Sequence, residues 1–232
     1  MGKRKFIIGF VCLLLSAGTA SAAPAYGTKM PDAGQAFLGL QNYEILRRDL
    51  NNGNGQIRSQ QNFFTLSYGL TTWFSLDLKY TLYSAFTHEG MDGQNLEKYG
   101  RPGFWGGGYG FRVRLYENGP WKAVTGFQHI STHPMSLRAN GVKNNGILDD
   151  WGGSTLVSYD FKTLTPYAGL AYSTLDYIHR IDNDAERINS DKHRYAGLII
   201  GVDVPVTKKV WINLESDWRD GGAGAASLNF HF

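Results

Sequence analysis

The sequence has little of what commonly holds an exported domain together. It contains one cysteine, so it cannot close a disulfide within the chain, and this excludes the disulfide-stapled scaffolds of small secreted domains. Nowhere does it hold the roughly 18 consecutive apolar residues of a transmembrane helix. Lys3, Arg4 and Lys5 carry the whole net charge of +3, since the other 20 basic residues (23 less these three) equal the 20 acidic ones. The chain therefore lacks the basic surface that nucleic-acid binding requires.

The first residues have the three parts of a secretory signal peptide. Lys3-Arg4-Lys5 gives a positive start, residues 6–15 are an apolar run too short to span a bilayer, and Ala20-Ser21-Ala22 fits the small-residue cleavage pattern. We therefore predict a signal peptide over 1–22, cleaved at its end. Since Cys12 lies inside it, the mature chain would contain no cysteine, as suits a bacterial envelope protein whose fold needs no disulfide.

Apolar and polar residues alternate in segments about ten residues long, the length of a transmembrane β-strand. The last segment is the clearest, because Ala226, Leu228, Phe230 and Phe232 alternate with polar residues at 227, 229 and 231. Such alternation puts apolar side chains on one face of a strand and polar ones on the other. We predict ten strands, over 34–48, 58–69, 73–86, 106–117, 121–132, 151–161, 165–178, 192–204, 209–218 and 223–232.

Tight and long connections alternate between these predicted strands. Asn118-Gly119, a hairpin-forming pair, lies in a tight one. The longer, polar connections are 49–57, 87–105, 133–150 and 179–191. This arrangement is typical of outer-membrane barrels, which have short periplasmic turns and longer extracellular loops. The predicted fold is all-β: a single antiparallel up-and-down transmembrane β-barrel of about ten strands, with eight or twelve left open.

The domain organisation follows from this fold. The barrel covers 34–232, and residues 23–33 form a periplasmic segment between the signal peptide and the first strand. An even number of strands leaves both chain ends in the periplasm. Aromatic residues near the predicted strand ends form two candidate membrane girdles: Tyr68, Trp73, Tyr116, Trp121, Tyr159, Tyr167, Trp211 and Phe232 on the turn side, and Phe86, Trp105, Trp151, Tyr177, Tyr195 and Trp218 on the loop side.

The chain stops on a phenylalanine at the end of a strand. The alternating Leu228, Phe230 and Phe232 resemble the C-terminal signature of bacterial outer-membrane β-barrels, which their assembly machinery reads. The resemblance implies insertion into the outer membrane of a Gram-negative-type bacterium. It also implies the barrel-assembly machinery as a partner.

Charged residues on the polar faces predict the character of the barrel interior. The inward candidates are Asp77, Lys79, Arg112, Arg114, Lys122, Asp203, Glu215 and Asp217. Ten strands leave a narrow lumen at best, and unpaired charges buried there would be costly. Two interpretations stay open: a salt-bridged plug that holds the barrel together, or a polar path for small solutes. A path predicts conductance that changes when Arg112, Arg114 or Lys122 is neutralised.

One local cluster has catalytic potential. His129 and Ser131 share a strand face that also carries apolar residues, so both are predicted to face lipid near the loop end. This His-x-Ser arrangement resembles outer-membrane phospholipase A and the lipid A deacylases, and the resemblance implies His129 as base and Ser131 as nucleophile. Thr132 stands where those families usually have asparagine. The third member, an amide or carboxylate about a dozen residues on in those families, has no clear counterpart. Lys143 stands at that distance, flanked by Asn140, Asn144 and Asn145, with Asp149 and Asp150 further along, all in a predicted loop.

The sequence thus predicts an integral outer-membrane barrel with a narrow or plugged polar lumen. Its role would be envelope integrity, small-solute passage or surface interaction, without enzymatic activity. The alternative is a membrane-lipid hydrolase, a serine esterase using His129 and Ser131. Membrane lipids and lipopolysaccharide are the expected partners. No metal site or cofactor is predicted, and calcium enters only with the hydrolase alternative. The oligomeric state is left open.

Overall fold

A computed structural model of the chain describes residues 27–51, 55–91, 94–101, 105–139, 141–181, 184–189, 195–218 and 221–232. The predicted signal peptide lies outside these residues. They form thirteen β-strands: β1 (Ala36–Asp49), β2 (Gln56–Gly69), β3 (Phe74–Met91), β4 (Gln94–Arg101), β5 (Trp105–Asn118), β6 (Trp121–His133), β7 (Leu137–Ala139), β8 (Val142–Tyr159), β9 (Thr165–Ile181), β10 (Asp184–Asn189), β11 (Ala196–Pro205), β12 (Val210–Trp218) and β13 (Gly221–His231). None of the described residues forms a helix long and apolar enough to cross a membrane.

Ten of these strands close into one antiparallel barrel, which confirms the predicted fold and strand number. Their order around the ring is β1-β2-β3-β5-β6-β8-β9-β11-β12-β13, and β13 pairs with β1 to close it. The short strands β4, β7 and β10 stand outside the ring and pair only with β3, β8 and β9 respectively. We call the end with the tight turns the turn end, and the opposite end the hairpin end.

Most of the long connections predicted from the sequence contain strands instead. Residues expected to be loops over 87–105, 133–150 and 179–191 contain the ends of β3, β8 and β9 together with their short partner strands. In the described part of these ranges, each face of a strand mixes apolar and polar residues: Leu148 and Asp150 are both buried, and Ile147 and Asp149 both lie on the opposite face. Such a mixture gives no regular alternation, so the sequence carried no period-2 signal for them.

The two faces of the barrel wall differ as the alternation predicts. Large apolar side chains point outward and stay exposed, among them Leu78, Leu170 and Leu198 at 50%, 65% and 51% exposure. A belt of this kind is what a bilayer covers. Two residues assigned to the turn-side girdle, Tyr167 and Trp211, are instead buried in the lumen at 3% and 5% exposure. The loop-side candidates Phe86 and Tyr177 are buried there as well. A position near a strand end does not determine whether the side chain points to the lipid or to the lumen.

The half of the lumen towards the hairpin end is filled by apolar side chains. We call this set the apolar layer, and seven barrel strands contribute to it: Tyr43, Ile45, Leu50, Ile57, Phe63, Phe86, Ile130, Leu148, Leu175, Tyr177, Ala223 and Ala225. A cavity of about 10 Å³ remains beside it, lined by Gln61, Thr132 and Asp150 as well as by apolar residues. That space holds about one water molecule.

The half towards the turn end is filled differently. Residues 27–33 precede β1, and we call them the N-terminal strap. They belong to the segment 23–33 that is predicted to precede the barrel, and the described residues 27–30 lie within the barrel mouth, with Thr28 and Met30 buried. Gly69 lets the strap cross the end of β2, because a side chain there would collide with the Asp32 carbonyl. Gly27 takes a left-handed φ of 67° among Asp203, Asn213 and Tyr167.

Candidate functional site

A buried ion pair anchors one wall of the turn-end lumen. Arg112 on β5 donates hydrogen bonds from Nε and Nη2 to the carboxylate of Asp77 on β3, at 2.9 and 2.8 Å. Both side chains are almost fully buried. Arg112 Nη2 also donates to Ser67 Oγ at 3.2 Å. The alternation of β3 and β5 puts these groups on the inner face, where a bidentate pair satisfies charges that burial would otherwise make costly.

The facing wall is acidic. Asp203 on β11 accepts a 2.9 Å hydrogen bond from Asn213 Nδ2, and Tyr167 donates to Glu215 Oε2 at 2.8 Å. Asn213 Nδ2 also donates to the Tyr167 hydroxyl. Asp217, on the same face of β12, lies towards the hairpin end instead, opposite Ala223 of the apolar layer, with 2% exposure. In the ring, β5 and β12 stand opposite each other, with four strands between them on either side. The lumen therefore has an arginine-bearing wall and an acid-bearing wall facing each other.

The N-terminal strap bridges these two walls. Arg112 Nη1 donates a 2.7 Å hydrogen bond to the Lys29 carbonyl, and Lys29 Nζ lies 4.0 Å from the ring centre of Trp211 on β12. Thr28 Oγ1 donates to Ser158 Oγ on β8 at 2.7 Å. Burial lowers the pKa of Lys29, while the Asp203 carboxylate acts in the opposite direction. A cavity of about 20 Å³ remains beside Lys29, Arg112 and Trp211.

The structure can be compared with the predicted lumen set residue by residue. Asp77, Lys79, Arg112, Asp203, Glu215 and Asp217 are all buried in the lumen. Arg114 and Lys122 lie at its rim instead, where both bind Glu117, at 2.6 and 2.8 Å.

Sequence reasoning missed other buried polar groups, namely Arg48, His88, Asp150 and His179. Arg48 donates to the Ser173 carbonyl at 3.0 Å, and the Ser173 hydroxyl in turn donates to Asp150. Asp150 lay in a predicted loop. Arg48 follows a register shift after Ile45 that changes which face it occupies. Neither position carried a signal that alternation alone could detect.

The second candidate site lies on the outer face near the hairpin end. His129 and Ser131 on β6 point outward, as predicted, but they do not form the predicted pair. The Ser131 hydroxyl is hydrogen-bonded to His133 Nε2 at 3.1 Å, and His129 Nε2 is paired with Asp149 on β8. Ser131 and Asp149 face each other directly in the β6–β8 register. We call His129, Ser131, His133 and Asp149 the outer cluster.

Aromatic rings flank this cluster. The His129 ring lies 5.2 Å from that of Tyr109 and 4.1 Å from that of Trp151. Tyr109 and Trp151 are about half exposed on the outer face, as rings at a membrane interface are. Chemically, the cluster offers a hydroxyl with a neighbouring imidazole and a separate imidazole–carboxylate pair. Within the described part of the chain, no three His, Cys, Asp or Glu side chains come together to hold a metal ion.

The last strand ends at the turn end. Leu228 and Phe230 point outward into the apolar belt. Phe232 follows β13 and is 68% exposed, while its backbone N–H still donates to the Ala36 carbonyl at 3.0 Å. The three side chains of the predicted assembly signal therefore line one outer edge, beside the closure between β13 and β1.

Comparison with known proteins gives structural neighbours only. No family model and no curated protein matches the sequence. The COG4313 outer membrane channel from Pseudomonas putida F1 is 11% identical over 91% of this chain and 100% of that one, with a TM-score of 0.50. The transport unit of the autotransporter AIDA-I from Escherichia coli is 13% identical (96% and 97% covered, TM-score 0.45). Ail from Yersinia pestis is 10% identical (86% and 99% covered, TM-score 0.40). The chain thus has the fold of outer-membrane β-barrels.

Proposed function

We propose that this chain is an integral outer-membrane barrel that passes small polar solutes through a lumen closed by its own N-terminal strap. In the orientation that we propose, both chain ends face the periplasm and the hairpin end faces the outside of the cell. The assembly machinery recognises the C-terminal segment that contains Phe230 and Phe232. Membrane lipid and lipopolysaccharide cover the apolar belt.

One observation carries the proposal. In the polar half of the lumen, a segment that belongs to no strand fills the space that the side chains of the two walls leave between them. That segment is held by hydrogen bonds at Thr28 and at the Lys29 carbonyl, by the Lys29 ammonium over Trp211 and by the burial of Met30. It pairs with no strand, so it can leave without breaking the sheet. A barrel closed for good would need only wall side chains, which suffice to fill small barrels.

The apolar layer is a second barrier on the same path. Apolar constrictions exclude ions by dewetting, so both the strap and this layer have to open before an ion can cross. With both barriers in place, the barrel is predicted not to conduct ions. We also predict that removing either barrier alone opens it less than removing both.

Single-channel recording tests this directly. We would compare the refolded mature chain, a variant lacking residues 27–33, the Phe63→Ala variant, and the two changes combined. Conductance should be lowest for the parent and highest for the combination. Leu170→Ala, a truncation on the lipid face, is the control and should behave as the parent does. A combined variant that folds, shown by its heat-dependent gel shift, yet never conducts would contradict solute passage.

A second function, lipid hydrolysis, has one observation in its favour. The Ser131 hydroxyl lies on the lipid-facing surface within hydrogen-bond distance of His133 Nε2, as a serine nucleophile and its base do. In that chemistry Ser131 Oγ attacks an ester carbonyl carbon while its proton moves to His133. The proton is then given to the departing alcohol, and water releases the fatty acid. Among the described residues, the arrangement lacks a third group that orients His133, since the nearby Asp149 is paired with His129.

Fatty-acid release from phospholipid and lipopolysaccharide micelles decides this question. The assay would run with and without calcium, on the parent and on three variants: Ser131→Ala, His129→Asn and His133→Asn. Hydrolysis needs Ser131, and the histidine whose loss abolishes release is the base. The absence of release by a folded parent protein removes hydrolysis of these lipids from consideration.

A further inference from the structure

The strap occupies the turn-end lumen in the manner of a ligand. Lys29 places an ammonium over Trp211 on the acidic side and a carbonyl oxygen on Arg112 on the opposite side. We propose that this half of the lumen is a binding site for small zwitterions, the ω-amino acids, and that such a ligand displaces the strap by taking the place of Lys29.

The ammonium end of the site is defined by an aromatic face and a carboxylate. Trp is the aromatic residue that attracts cations best, and the 4.0 Å distance from Nζ to the ring centre is within the range of a cation–π contact. Asp203 lies on the same side of the lumen and is almost fully buried. Its Oδ2 accepts no hydrogen bond from any described residue, so it is available to a ligand's N–H groups.

The carboxylate end is defined by Arg112. Its Nε and Nη2 are held by Asp77, which fixes the plane of the guanidinium and aims Nη1 across the lumen. In the structure Nη1 meets a neutral carbonyl oxygen. Because the guanidinium is already charged, a carboxylate in place of this carbonyl would turn the hydrogen bond into a contact between two full charges, of the kind that Asp77 makes with Nε and Nη2. A free zwitterion therefore bonds to Arg112 better than the strap does.

The opposed walls favour zwitterions over simple ions. Asp203 and Glu215 line the β11–β12 side, whereas Arg112 and Lys79 lie on the opposite strands β5 and β3. A simple anion would lie near the acidic wall and a simple cation near the arginine. A molecule with both charges satisfies both sides at once, as the ammonium and carbonyl of Lys29 do.

The best probe is 6-aminohexanoate. Its chain from nitrogen to carbonyl carbon matches that of Lys29 from Nζ to its own carbonyl, and it ends in a carboxylate. The strap has the advantage of being tethered, with an effective concentration of about millimolar order for a short flexible link. Probe concentrations in the tens of millimolar are therefore needed.

The experiment measures strap release by thiol labelling. Since Cys12 lies in the predicted signal peptide, Thr28→Cys gives the refolded mature chain a single thiol at a position that is 1% exposed when the strap is seated. Labelling by a water-soluble maleimide then reports release. We expect 6-aminohexanoate to speed labelling at least about threefold, as competition with a tethered segment allows. Hexanoate and 6-aminohexanamide, which each lack one charge, should have little effect.

Variants in the same background make the result decisive. Trp211→Leu should abolish the selective effect of 6-aminohexanoate, and Glu117→Gln, a charge change at the exposed rim, should preserve it. Lys29→Ala should speed labelling without ligand, which shows that the assay detects release. If Lys29→Ala releases the strap but 6-aminohexanoate does not, or if all three probes act alike, the site is not a zwitterion site. This proposal rests on the proposed function, in which the strap closes the lumen, and adds a ligand that releases it. Because labelling reports binding even in a barrel that never conducts, the two proposals can fail separately.

Discussion

The two halves of the lumen are both filled, but one is filled by apolar side chains and the other mainly by polar groups and the N-terminal strap. Near the hairpin end, side chains from seven strands fill the interior with apolar atoms, as the core of a soluble domain does. Near the turn end, the wall is polar and charged, and a separate chain segment fills the space between its two sides. One half is closed by side chains fixed to the wall. The other is closed by a segment that pairs with no strand and is held by a few polar contacts and the buried Met30 side chain.

This difference bears on where the barrel can change shape. Apolar side chains fixed to paired strands move only when the wall moves, and every strand in the wall is hydrogen-bonded on both sides. The strap is continuous with β1 but lies in no ladder, so its release costs only its own contacts. Elements that move in function come from such regions of low local stability.

The largest effect is expected where a charge would be left buried alone. Arg112→Leu removes the partner of Asp77, whose side chain is 1% exposed. Breaking a buried pair in this way costs about 3–5 kcal/mol of unfolding free energy, and denaturant titration in detergent micelles measures it. The double variant Arg112→Leu with Asp77→Leu removes both charges and should recover most of the loss. If the double variant is no more stable than the single one, the pair is not what stabilises this half.

The matching change in the other half is Leu148→Ala. Leu148 is 2% exposed and borders the small cavity, so truncation enlarges an existing void. We expect a loss of about 3 kcal/mol from apolar transfer and cavity formation together. Leu170→Ala, at 65% exposure on the lipid face, leaves no cavity and should cost less. Equal losses for the two truncations would show that the apolar layer is not packed as a core.

The comparison also shows how far the sequence could predict this structure. The barrel was predictable because a bilayer outside and a polar lumen inside impose alternation on every spanning strand, as at 226–232. Alternation also predicted which face holds Asp77, Arg112 and Glu215. It fails at bulges, where one extra residue exchanges the two faces. Arg48 is such a case, since it follows the register shift in β1.

The strap and the outer cluster lay beyond sequence reasoning for another reason. No local pattern in residues 27–33 predicts that they enter the lumen. They are held there by partners far away in the sequence, such as Arg112 and Trp211, which contact Lys29. Ser131 has a histidine two residues away on either side, and on one face of a strand both are possible partners. Strand periodicity placed them together outside the barrel but could not select His133 over His129.

The next prediction weakens the strap without touching the wall. Thr28→Val removes the hydrogen bond to Ser158, which is worth about 1 kcal/mol, so the released population should rise roughly fivefold. Trypsin can cut after Lys29 only in released chains, and the initial cutting rate follows that population when reclosing is fast. Mass spectrometry of the cut product measures it. Global stability in denaturant should stay close to that of the parent. A large fall in global stability would mean that the strap is part of the barrel core.

The smallest effect is expected at the exposed rim of the same half. Glu117 binds both Arg114 and Lys122, yet its side chain is 37% exposed. Glu117→Gln should therefore cost only about 0.2–1 kcal/mol of unfolding free energy, and less at high salt, because water and ions already screen such pairs. Denaturant titrations at low and high salt measure both the cost and its screening. A cost near that of Arg112→Leu would mean that the rim is as dry as the lumen. A small, salt-sensitive cost would instead place the boundary between water and the closed lumen between Glu117 and Arg112.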